Sequence, residues 1–144
     1  KDFKEASRYI REAGMLLMYH NHDFEFEKVD GVYLMDYLID GFAPDELGIT
    51  LDTYWVHTAG GDVCQWIEKL KDRIPCVHLK DRGVVNHTEV MAPVMEGNMN
   101  FEAIMKALEK SCCKYALVEQ DTCLESPFVC LDKSFQNLKK LGYK

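Results

Sequence analysis

Four residues of metal-binding or acid–base type stand at the ends of four apolar runs. LLMYH closes on His20, LGITLD on Asp52, IPCVHL carries His78 next to its end, and YALVEQD turns polar at Glu119. Two imidazoles and two carboxylates make a mixed nitrogen/oxygen set. Such a set suits Mn²⁺, Zn²⁺, Co²⁺ or Fe²⁺, with Mg²⁺ admissible, better than Ca²⁺. A divalent ion polarises a carbonyl or hydroxyl and lowers the pKa of a bound water or sugar hydroxyl. Taken singly, each residue has a plainer use: a carboxylate after a strand commonly caps a helix, and a single histidine is commonly a satisfied polar group. The repetition at four consecutive runs points to one shared ion.

Further polar groups sit close to these ends. Asn21, His22 and Glu25 follow His20 and could orient it from behind. Trp55, three residues after Asp52, could stack on a sugar face or pack the rim. Lys80 and Arg82 follow His78 and could hold a substrate phosphate or hydroxyl, although such loop cations are often solvated. Glu96-Gly97 could reach the same place from a long connection. His87 carries no comparable signal.

Only parallel strands would bring the four ends together. Phe3, Ala6, Ile10 and Ala13 have helical spacing up to Gly14, and residues 15–19 read as a buried strand. Residues 32–40 suggest a short helix and 47–51 a second strand. Val63, Trp66, Ile67 and Leu70 mark a helix started by Asp62 with Gln65. Residues 74–79 read as a third strand. Residues 81–99 are expected as a long connection with an extended piece at 88–92. Phe101, Ile104, Met105 and Leu108 form a helix face capped by Asn100, and residues 115–118 read as a fourth strand. Ser126-Pro127 opens a last helix with Phe128, Leu131, Phe135 and Leu138 on one face. Strand and helix thus alternate four times, which predicts parallel strands, apolar on both faces and covered by helices. The four polar ends are separated by 32, 26 and 41 residues, a mean of 33. An eight-unit barrel spends roughly 31 residues per βα unit. The expected fold is therefore α/β, about half of a (β/α)8 TIM barrel with four parallel βα units, with residues 1–144 as a single domain and the C-terminal rim of the strands as the functional end.

Bulk properties narrow the partners. The chain has 144 residues, 47% hydrophobic and 28% charged, so a folded core is expected. A net charge of −7 without a basic tract argues against nucleic acid, although a metal could still attract a phosphorylated ligand. No run approaches the ~20 apolar residues of a membrane helix, and no signal peptide is visible. Six irregularly spaced cysteines without a C-x-x-C pair suggest reduced thiols and a cytoplasmic protein. No G-x-G-x-x-G or P-loop follows a strand, which disfavours a nucleotide-binding sheet.

YHNHDFEF, LDTYWVHTAGGD, IPCVHLKD, EGNMNF and ALVEQD together resemble the sugar phosphate isomerase/epimerase family, which includes inosose dehydratases, ketose 3-epimerases and, more distantly, endonuclease IV. The resemblance implies a xylose-isomerase-like TIM barrel with a divalent ion at the C-terminal rim, and the order of the motifs matches the back, C-terminal half of such a barrel. It implies Asp52, His78 and Glu119 as ligands, with Glu119 and His78 catalytic. The fourth family ligand is usually a glutamate, and its best match here is His20, with His22, Glu25, Trp55 and Lys80 as substrate contacts. The departure at His20 disfavours a mechanism with two opposed glutamate bases. Trp55, where many relatives carry histidine, disfavours multi-metal nuclease chemistry.

The expected activity is metal-dependent isomerisation or epimerisation of a sugar, sugar phosphate or inositol derivative, by proton abstraction next to a carbonyl and through a stabilised enediolate. A dehydratase of the inosose type and a non-catalytic sugar-binding barrel are the alternatives. The N-terminal half of the barrel is expected as the missing complement: the chain is a fragment, is completed by a second copy, or meets a separate polypeptide.

Overall fold

The computed structural model describes residues 2–143. Helix α1 (Asp2–Glu12) leads through Gly14, at φ +75°, into strand β1 (Leu17–His20). A 3-10 turn (Phe24–Phe26) and a small ribbon, β2 (Lys28–Val29) and β3 (Val32–Tyr33), precede α2 (Leu34–Asp40). Strand β4 (Leu47–Asp52) runs directly into α3 (Thr53–Thr58), a helix not anticipated from the sequence, and then α4 (Val63–Leu70). Strand β5 (Cys76–Leu79) is followed by β6 (Asp81–Val85), β7 (Thr88–Ala92), α5 (Phe101–Leu108), β8 (Tyr115–Val118) and α6 (Pro127–Lys140).

Strands β1, β4, β5 and β8 pair in that order, all parallel. One face of the sheet is dry. Leu47, Ile49 and Leu51 of β4 and Val77 and Leu79 of β5 are buried among Met35, Val56, Trp66, Ile67, Leu70, Phe101, Ile104, Met105 and Leu108. The strands are not apolar on both faces, as expected above. The alternate positions, Gly48, Thr50, Asp52, Cys76 and His78, are small or polar and turn to the opposite face. That alternation is how barrel strands separate a helix-covered exterior from an interior that carries the site.

Two segments depart from expectation. Within residues 81–99 the extended piece expected at 88–92 forms as β7, and it is paired: β6 and β7 make an antiparallel hairpin, with Val85 opposite Thr88. Asn86 and His87, at φ 50° and 62°, make the left-handed turn that two-residue hairpins require. Helix α6 forms as expected, but Ser126 makes no side-chain cap bond, and the apolar face stays exposed, Phe128 at 84%. Its buried side is polar instead: Ser134 Oγ accepts the Val94 N–H at 2.9 Å and Asn137 Nδ2 donates to the Val94 carbonyl at 3.0 Å. A cavity of about 420 Å³ lined by Ala116, Val118, Leu131 and Phe135 separates α6 from β8. Strands β1 and β8 are the free edges, and Tyr115 and Leu117 on β8 are exposed.

Candidate metal centre

Asp52 is the hinge of the site, and its two oxygens do different work. It ends β4 and caps α3: Oδ1 accepts the Trp55 N–H at 3.1 Å. Its own N–H donates to Asn21 Oδ1 at 3.0 Å, tying the ends of β4 and β1 together. The side chain is fully buried, and Oδ2 is left facing His20 Nε2 at 3.2 Å and His78 Nδ1 at 3.8 Å. Register explains the convergence. Asp52 pairs with His78; His20 pairs with Thr50, two residues before Asp52 on the same face, and Glu119 stands two residues beyond Leu117, the partner of His78. Glu119 follows β8 directly, its N–H held by the Leu79 carbonyl at 3.2 Å, and brings Oε2 to 2.8 Å from His78 Nδ1.

One ligand atom from each of His20, Asp52, His78 and Glu119 lies within 4.8 Å of the other three. Ligands about 2.1 Å from a common ion sit about 3–4 Å apart, so these separations suit a divalent cation. His78 Nδ1 and Glu119 Oε2 are buried 2.8 Å apart, and Glu119 Oε2 also lies 2.8 Å from the Lys80 ammonium. Two imidazole nitrogens and two carboxylate oxygens at these separations make a donor set that fits a first-row divalent ion. Burial would push the Glu119 carboxyl up, but Lys80 and His78 outweigh it and hold the group below the usual range, as a carboxylate at neutral pH.

The remaining predicted residues fall into two groups. His22 and Trp55 line the rim: the His22 ring lies 4.9 Å from that of His20 and 5.3 Å from that of Trp55. The Trp55 indole N–H is buried and unpartnered. Glu25 and Lys80 are turned inward. Glu25 accepts the Tyr19 hydroxyl at 2.6 Å and the His22 N–H at 2.9 Å, so both oxygens are taken and its role is to set the chain after His20. The Lys80 side chain is 3% exposed and faces Asp52, Glu119 and Asp121 at 3.3, 2.8 and 3.0 Å. Arg82 pairs with Glu89, which also takes the Tyr54 hydroxyl, and Glu96 faces Lys133 on α6.

Two groups had no role assigned from sequence. Asp121 pairs with Lys80. Thr53 Oγ1 accepts the Lys80 N–H at 3.0 Å and lies 2.8 Å from the Lys80 carbonyl, latching the end of β5 to α3. The motif ALVEQD contains Asp121, but nothing in the order of residues says which cation it meets.

The family model for xylose isomerase-like TIM barrels matches residues 1–122. The chain belongs to that family. Among solved structures, a sugar phosphate isomerase/epimerase from Parabacteroides distasonis is 26% identical, with a TM-score of 0.77 over 96% of this chain and 52% of its own. The 3-keto-D-glucoside 4-epimerase YcjR from E. coli is 16% identical, TM-score 0.69, over 94% of this chain and 50% of its own. A D-tagatose 3-epimerase-like protein is 21% identical, TM-score 0.65, with the same coverage of 94% and 50%. The last two comparisons speak to fold. Comparison with curated proteins yields no match. This xylose isomerase-like chain spans about half the length of the structures it resembles. Its four-stranded parallel sheet with helices is accordingly part of a TIM barrel. Among the described residues no helix is long and apolar enough to cross a membrane.

Proposed function

We propose that this chain carries the metal-binding rim of a sugar or polyol isomerase/epimerase that works by proton transfer next to a carbonyl. The observation that carries the reading is the His20–Asp52–His78–Glu119 cluster, with one ligand atom of each within 4.8 Å of the other three. These four residues would hold a divalent ion, of the Mn²⁺, Zn²⁺, Co²⁺ or Mg²⁺ class. When bound, such an ion supplies electrophilic pull on substrate oxygens. Glu119 takes the proton from the carbon beside the carbonyl and returns it at the neighbouring atom. His78 orients Glu119, and Asp52 orients His20. The His22 and Trp55 rings, tilted 45° to each other, form an aromatic wall for the sugar.

A second reading is elimination of water from a keto-polyol. His20 supports it: as a member of the ligand set it is not free to act as a second, opposing base, and Glu119 is left as the available base. The free edges of β1 and β8 and the exposed Tyr115 and Leu117 favour a further half-barrel as partner, from the same polypeptide or another. The test is metal content and solvent-deuterium exchange with a panel of ketoses and inososes. Exchange at the carbon next to the carbonyl, lost in Glu119→Gln, is expected. Mn²⁺ binding and sugar binding without exchange would leave a binding barrel. Metal content unchanged in both Asp52→Ala and His78→Ala would refute the site.

A further inference from the structure

Lys80 has no place in the ligand set, yet it sits in the middle of it. Its ammonium approaches Asp52 Oδ2 at 3.3 Å and Glu119 Oε2 at 2.8 Å. Those are the two oxygens that His20 and His78 also face, at 3.2 and 2.8 Å. A divalent ion bound by the cluster would draw on the same two oxygens, where its charge opposes that of the ammonium. Lys80 and the ion therefore compete for two ligand atoms.

The third contact differs. Asp121 lies outside the cluster of four, its side chain is 42% exposed, and the ammonium donates a hydrogen bond to its Oδ2 at 3.0 Å. The Lys80 backbone cannot follow the side chain, because Thr53 Oγ1 holds its N–H and carbonyl. Any adjustment is a swing of the side chain alone, toward the one partner the ion does not need. Charge agrees: three carboxylates and one ammonium leave two negative charges, which a divalent cation cancels with the lysine still in place.

We propose that Lys80 is an exchangeable counter-cation. It neutralises Asp52 and Glu119 until a divalent ion takes them over, and Asp121 retains its ammonium afterwards. This rests on the metal-binding reading above and adds to it a residue that sets affinity. Without a cation here, the buried Asp52 would face Glu119 and Asp121 with no opposite charge. With Lys80 present, the apo rim is held together at the cost of weaker metal binding.

The test is titration of Mn²⁺ into the 144-residue chain by calorimetry, with thermal melts in Mn²⁺ and in chelator. Lys80→Met removes the competitor, so Mn²⁺ binds tighter, by about tenfold or more for one unit charge a few ångströms from a divalent ion. The same variant melts lower than wild type in chelator and gains more from Mn²⁺. Asp121→Asn removes the resting place and confines Lys80 to the ligand carboxylates, so Mn²⁺ binds several-fold more weakly. A merely structural lysine would give looser binding in Lys80→Met, and that result overturns the proposal, as does unchanged affinity there. Unchanged or tighter binding in Asp121→Asn also overturns it, and this arm decides the matter if Lys80→Met does not fold. Wild-type chain that takes up no Mn²⁺ would overturn the metal reading itself and this inference with it.

Discussion

The division of labour within Asp52 can be separated by substitution. In Asp52→Asn the amide oxygen keeps the place of Oδ1 and still accepts the Trp55 N–H, which lies 3.1 Å away in the wild type. The amide nitrogen takes the place of Oδ2, where it cannot serve as a metal ligand. In Asp52→Ala both functions go. Both variants lose the charge facing Lys80, so their difference isolates the helix cap. Loss of an N-cap costs about 1 kcal/mol. Unfolding entropy of about 2.1 cal/mol/K per residue over 144 residues is about 0.3 kcal/mol/K, so the gap in melting temperature is about 3 °C. Melts in chelator measure the gap, and metal analysis after dialysis against Mn²⁺ measures the ligand role. Asparagine should melt above alanine, and both should come out metal-free. Coincident melts, or asparagine that retains the ion, would refute the assignment of separate tasks to the two oxygens.

Other consequences follow from the loop that backs the site. Asp81 is fully buried and takes the N–H groups of Arg82, Met95, Gly97 and Met99 at 2.7, 2.9, 2.9 and 3.2 Å. Asp81→Asn presents an amide to two of those donors and should cost about 2–5 kcal/mol, read as a lower urea midpoint. Gly97→Ala would set a methyl group 2.5 Å from Asp81 Oδ1 and 2.6 Å from the Arg82 carbonyl, and should cost about 1–3 kcal/mol in the same measurement. Glu89 is held down to a pKa of about 2, chiefly by Arg82 and then by the Tyr54 hydroxyl. Because its folded pKa lies below its ordinary value near 4.5, its contribution is complete above that pH and fades as the pH falls toward 2. Melting temperature should drop over that window, and Glu89→Gln should flatten the drop. The pair is partly exposed, so high salt should shrink the effect.

Of the β6–β7 hairpin only the extended piece at 88–92 was legible; β6 and the pairing were hidden because the turn carries Asn-His in place of Asn-Gly. His87 at φ 62° is an uncommon occupant of such a position. Helix α6 misled for another reason. An apolar face normally identifies the buried side, but the surface it would cover belongs beside β8, where the sheet ends. The polar side found partners instead, at the backbone of Val94.

The order of residues alone determined the alternation of strands and helices, the parallel sense of the sheet, and the identity of four polar residues at strand ends. These follow from local properties: apolar runs, helical spacing, caps, and a repeat near that of a barrel unit. EGNMNF was visible as a motif but not as a clasp for Asp81. Only the tertiary structure decided that His20, Asp52, His78 and Glu119 meet, that Asp52 divides its oxygens between a helix and the rim, and that Lys80 lies buried among carboxylates instead of in solvent. Those facts depend on which face of each strand is turned inward and on register between segments 26 to 41 residues apart. A one-residue slip would leave every local signal unchanged and turn each of these side chains to the opposite face.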